Sequence, residues 1–87
     1  MKIDTFFKSP LDGFLVAKVD DTDILYGYVL YTNIYGNWII NREEKASGEY
    51  KYACSNIDID YTEQNCFAAR ALLTYDFPSV TLATFIK

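Results

Sequence analysis

Ile24-Leu25-Tyr26-Gly27-Tyr28-Val29-Leu30-Tyr31-Thr32-Asn33-Ile34-Tyr35-Gly36-Asn37-Trp38-Ile39-Ile40-Asn41 contains no charged side chain. Its length approaches that of a membrane-spanning helix. Its composition points elsewhere. Asn33, Gly36 and Asn37 interrupt the second half, and the first half is rich in Tyr and Val. Turn formers between two β-favouring runs spell a hairpin. Ile24–Thr32 is then one strand, with Ile24, Tyr26, Tyr28 and Leu30 on one face and Leu25, Gly27, Val29 and Tyr31 on the other. Both faces are apolar, so this strand is central in the domain or covered on its outer side by a partner. Asn33 to Asn37 form the turn, and Trp38 to Glu43 return.

On the N-terminal side, Phe14 to Val19 read as a strand that ends at the acidic turn Asp20-Asp21-Thr22-Asp23. On the C-terminal side, Ala46-Ser47-Gly48 suits a three-residue hairpin loop with Gly in the left-handed position. That register sets Lys45 opposite Glu49 and Glu43 opposite Lys51, two favourable pairs. A slip by one would oppose Arg42 to Lys51. The expected consequence is a dry face of Trp38, Ile40, Arg42, Tyr50, Tyr52 and Cys54, and a wet face of Asn41, Glu43, Lys45, Glu49 and Lys51. From Asp60 to Leu73, the spacing of Ala68, Ala71, Leu72 and Tyr75 predicts one short helix. Pro78 closes the next loop, and Val80–Ile86 reads as a last strand. The expected fold is α+β, mainly β: an antiparallel meander of about five strands with one short helix. Residues 1–87 form a single domain, with 1–12 as an extended N-terminal arm.

Composition bounds the chemistry. The chain has 87 residues, 51% hydrophobic and 23% charged, as in folded domains and unlike disordered ones. Histidine is absent and only Cys54 and Cys66 could act as thiols, so no His exists to activate a nucleophilic Cys. The four glycines form no phosphate-cradling loop. The acidic pairs Asp21/Asp23 and Asp58/Asp60 lack the Gly and distal Glu of a calcium loop. Catalysis, a metal and a cofactor are therefore not expected. Eight Lys and Arg against twelve Asp and Glu give a net charge of −4, with no basic cluster to neutralise phosphates. No nucleic acid and no membrane partner is expected. The N-terminus lacks an apolar signal core, which predicts that the chain is not secreted by that route. Two cysteines without such a signal are expected as free, half-buried thiols.

The aromatic content is 17%, from eight Tyr, six Phe and one Trp. Strand propensity accounts for part of it. The remainder predicts a partner-binding face, because Tyr suits surfaces that bury a ring and satisfy a hydroxyl. Phe6, Phe7, Tyr26, Tyr28, Tyr31, Tyr35, Trp38, Tyr50 and Tyr52 are the candidates, with Phe6 and Phe7 as the anchors of the arm. Stacking of sugars is a rival use of such rings. Tyr35, between Asn33 and Asn37, is the residue placed for it.

Three segments, Gly36-Asn37-Trp38-Ile39-Ile40, Gly48-Glu49-Tyr50-Lys51-Tyr52-Ala53 and Ala69-Arg70-Ala71-Leu72-Leu73-Thr74-Tyr75, resemble a pattern in small virion-associated proteins of tailed bacteriophages. The resemblance spans roughly residues 24 to 75, where the element assignments are also firmest. It implies a β-rich, non-enzymatic capsid, neck or tail component, working as a homo-oligomer or in a larger assembly, in the virion or the host cytoplasm. The alternative is a small acidic inhibitor that occupies a basic site on a host enzyme or defence complex.

Overall fold

The computed structural model describes residues 9–85. Four strands, β1 (Leu15–Asp20), β2 (Tyr26–Thr32), β3 (Trp38–Glu44) and β4 (Glu49–Cys54), form one antiparallel sheet in the order β1-β2-β3-β4. A 3₁₀ turn at Arg70–Leu72, a single helical turn α1 (Pro78–Thr81) and a 3₁₀ turn at Leu82–Phe85 follow. The expected antiparallel, mainly β architecture is present, with four strands where about five were expected. The arm assigned to residues 1–12 lies for the most part outside the described residues, as do Phe6 and Phe7.

The central hairpin forms as its residues dictate. Asn33 Oδ1 accepts the backbone N–H groups of Tyr35 and Asn37 at 3.0 and 2.9 Å, and Gly36 takes a φ of +83° that a side chain would resist. β2 alternates as read: Tyr28 and Leu30 face one way, Val29 and Tyr31 the other, and all four are buried. The sheet is therefore apolar on both faces, and the chain covers both itself. Tyr28, Leu30, Trp38, Ile40 and Ala53 pack under Cys66 and Leu73, with Tyr61, Phe67 and Tyr75 beside them. On the other face, Val29, Tyr31, Ile39 and Cys54 pack against Phe14 and Leu82, with Leu11 and Phe85 beside them. A sheet with two thin cores accommodates many more rings than a one-sided sheet.

The second hairpin corrects the expected register. Glu44 pairs with Glu49, Glu43 with Tyr50, Arg42 with Lys51 and Asn41 with Tyr52. The connection has four residues, Lys45 to Gly48, closed by Gly48 N–H donating to Glu44 O at 2.8 Å. Trp38, Ile40 and Arg42 thus share a face with Lys51 and Ala53, while Tyr50, Tyr52 and Cys54 lie on the Ile39 and Asn41 face. Asn41, assigned to a wet face, is only 4% exposed.

Packing outweighs charge here. A shift by one would turn one strand's apolar set to the wrong layer. The repulsion is also defused. The Arg42 guanidinium lies between the Tyr26 and Tyr75 rings, 4.4 and 4.3 Å from their centroids, and Lys51 Nζ sits 5.1 Å from the Phe77 ring. Tyr52→Ala should cost about 2–4 kcal/mol, because it removes a ring packed beside Ile39 and Cys54. Lys51→Ala should cost under about 1 kcal/mol, a partly exposed contact. Denaturant titration of both variants checks the ordering.

Two further expectations are corrected. Residues 60–73 form a run of turns and a short 3₁₀ segment in place of a helix. Tertiary anchors hold this segment. Tyr61 O accepts the Trp38 indole N–H at 3.0 Å, Asn65 Oδ1 accepts the Thr62 N–H at 2.7 Å, and Arg70 reaches Asp20. The backbone of this segment mixes i→i+4 bonds (Cys66 N–H to Thr62 O at 2.8 Å) with i→i+3 bonds (Leu72 N–H to Ala69 O at 2.8 Å), so it winds without becoming a regular helix. The last strand, Val80–Ile86, is instead helical through Phe85. Pro78 takes the first helical position, where its missing N–H costs nothing. Thr81, Leu82 and Phe85 then turn inward at helical spacing, with Thr81 at 0% and Leu82 at 7% exposure.

Candidate functional site

The rings expected to form a partner-binding face divide sharply by position. Tyr31 and Trp38 are completely buried and Tyr28 is 4% exposed, so these three are core and not contact surface. Tyr26, Tyr50 and Tyr52 are half-buried at the margins of the two cores. Tyr35 alone among the described candidates stands free, 82% exposed at the tip of the β2–β3 turn. Composition could not separate these roles, because it does not reveal that both sheet faces are roofed.

The two arginines, distant in sequence, meet in one layer of rings. Arg70 lies 4.6 Å from the Phe67 centroid and 5.3 Å from that of Tyr28. Its Nη2 donates to Asp20 Oδ2 at 2.5 Å and its Nη1 to Phe67 O at 2.8 Å. Tyr75 stands 6.3 Å from Tyr28 and donates its hydroxyl to Arg70 O at 2.7 Å. Burial pushes the Tyr75 hydroxyl far above its ordinary value. Both guanidinium groups are thus spent on structure. The cysteines are free and buried, Cys54 in one core and Cys66 in the other, on opposite faces of the sheet. Burial pushes the Cys66 thiol up to about 11, which keeps it protonated and unreactive near neutrality. Among the described residues, no group of three or more His, Cys, Asp or Glu side chains could hold a metal ion, and no helix is long and apolar enough to cross a membrane.

What remains is surface, and its boldest feature is an edge. β1 pairs with β2 alone among the described residues. Leu15, Val16 and Val19 are 75%, 41% and 39% exposed, so the strand is open on both sides as well as along its edge. A bulge between Val16 and Lys18 leaves Ala17 out of the pairing. The opposite edge differs. There Tyr52 and Asp76 exchange two backbone hydrogen bonds, 2.8 and 3.1 Å, which occupy part of β4. Beside β1 runs an open groove of about 430 Å³, lined by Ala17, Lys18, Leu30, Thr32, Glu63 and Gln64.

The carboxylates are also less scattered than the sequence suggests. Meander topology brings the β1–β2 and β3–β4 turns to one end of the sheet, where Lys45 N–H donates to Leu25 O at 2.9 Å. Lys45 Nζ sits 3.2 Å from Asp21 Oδ1 and donates to Asp21 O and Asp23 O. Asp20, Asp21, Asp23, Glu44 and Glu49 thus share this end with Lys45. Compared with known proteins, the chain matches no family model, no curated protein and no solved structure.

Proposed function

We propose that this protein is a non-catalytic assembly component, of the kind found in phage virions, that binds other protein chains by extending its sheet at β1. The observation that carries the reading is the edge from Leu15 to Val19, unpaired among the described residues, with exposed Leu or Val side chains on each face and a groove beside it. Unpaired strand edges are templates for another chain, and proteins ordinarily shield them with charges, bulges or covering loops. Here the shields within Leu15–Val19 are Lys18 and the bulge at Ala17, and the exposed Leu and Val side chains still give an added strand a surface to pack on. The absence of histidine and the burial of both thiols support the non-catalytic part of the reading.

Light scattering coupled to size exclusion tests it. The natural chain should run as a dimer or larger species, and Val16→Lys with Val19→Lys should run as a monomer with unchanged far-ultraviolet dichroism. Both side chains are exposed, so folding should tolerate the charges, with a change in stability within about 1 kcal/mol. A natural chain that is monomeric at every concentration, and that binds no partner through this edge, overturns the reading.

The second reading is an acidic inhibitor of a basic site, and the carboxylates collected at one end of the sheet favour it. Its signature is a monomer whose binding to a basic protein weakens steeply with salt. The edge variants would leave that binding intact.

A further inference from the structure

The other end of the sheet carries a second, chemically different surface. A groove of about 670 Å³ lies beside the β2–β3 turn, between Asn33, Tyr35 and Asn37 on one side and Asp12, Asn56 and Thr84 on the other. Phe14 and Phe85 also line it, as an edge-to-face pair with centroids 5.5 Å apart.

Three asparagines line this groove, and the fold fixes one end of each. Asn33 Oδ1 accepts two backbone N–H groups of its own turn. Asn37 Oδ1 accepts the Ser55 hydroxyl at 3.3 Å. Asn56 Nδ2 donates to Thr84 O at 3.1 Å. Pinning orients the amides and leaves the other ends unused among the described residues: Nδ2 of Asn33, Nδ2 of Asn37 and Oδ1 of Asn56. The groove thus presents two N–H₂ donors, an amide acceptor and the Asp12 carboxylate. Tyr35 adds an aromatic face that nothing in the fold requires, since at 82% exposure it packs on no core.

Hydroxyl groups that both donate and accept, on a ring with an apolar face, complement this set. A few oriented polar groups beside an aromatic wall also describe how small polar ligands are held. Among the described residues no Lys or Arg lines the groove, which disfavours phosphates, sulfates and acidic sugars. We propose that this groove binds a neutral carbohydrate, with one sugar ring stacked on Tyr35 and its hydroxyls on Asn33, Asn37, Asn56 and Asp12. No residue of β1 lines this groove, so the proposal is tested independently of the assembly reading.

Amide-detected NMR titration of the full chain with maltotriose, cellotriose and chitotriose tests the proposal. At least one should shift the side-chain amide signals of Asn33, Asn37 and Asn56 together. Tyr35→Ala should weaken that binding about tenfold or more while leaving signals elsewhere in place, and Tyr35→Phe should retain it. Absence of a response to all three sugars overturns the proposal, as does a response that survives Tyr35→Ala. A response to an oligolysine peptide and to none of the sugars overturns it too, and would assign the groove to a basic segment held by Asp12.

Discussion

Trp38→Ala should remove a large part of the folding stability of the domain. Trp38 is 0% exposed, opens β3, and packs with Leu30, Ile40, Ala53, Cys66 and Leu73. Removing so large a buried ring costs about 3–5 kcal/mol in transfer and cavity energy. The indole N–H also donates to Tyr61 O, so truncation leaves that carbonyl without its partner and frees the segment that roofs this face. A domain of this size has roughly 5–10 kcal/mol of total stability, so one substitution consumes a large part of it. Trp38→Phe separates the two contributions. It keeps most of the ring and loses the hydrogen bond, for an expected cost of about 1–2 kcal/mol. Because Trp38 is the single tryptophan, unfolding should be followed by far-ultraviolet dichroism and not by indole fluorescence. A loss under about 1 kcal/mol for Trp38→Ala would show that residues 61–75 do not close this face.

Stability should also fall steeply in alkali, between about pH 10 and pH 12. Burial raises the hydroxyls of Tyr28, Tyr31, Tyr50, Tyr52 and Tyr75 above their ordinary value of 10.0, and that of the fully buried Tyr31 is pushed up to about 12. A tyrosine is neutral when protonated, so the folded state keeps its proton after the unfolded chain has released it. Unfolding in this window releases protons, and rising pH therefore drives it. The stabilisation is fully present below the unfolded value and disappears as pH climbs through the folded one. For Tyr31 alone the difference corresponds to about 2–3 kcal/mol. Urea midpoints at neutral pH and near pH 11, with tyrosinate absorbance as a second probe, measure the loss. Tyr31→Phe removes one titrating group and should flatten the alkaline limb, with a cost at neutral pH from the lost contact with Asn41. A midpoint that does not move over this range would contradict the burial of Tyr31.

Interior alternation on β2 was legible because its period of two is a property of the strand itself, and the Asn33–Asn37 turn because Asn and Gly act on their own backbone. The antiparallel, mainly β class followed from these local signals. The register of β3 against β4 was not legible. Charge pairing favoured one alignment, and burial of Trp38, Ile39, Ile40, Ala53 and Cys54 in two layers imposed the other. Surface pairs contribute fractions of a kcal/mol where core side chains contribute several.

Residues 60–73 and 78–85 misled for a related reason. Their patterns fit a helix and a strand, but the first winds irregularly between anchors at Trp38 and Asp20, and Pro78 with the Thr81–Leu82–Phe85 spacing wound the second into helix. The aromatic total was plain in the sequence, but its division between two cores and the exposed Tyr35 and Phe77 was not. Which face of a strand is roofed, and by what, depends on segments far along the chain. The sequence by itself determined the first four strands and the central turn. Tertiary structure alone decided the register, the roofing of both faces, and which edge and which groove stay open, because long-range burial outweighs every local preference it opposes.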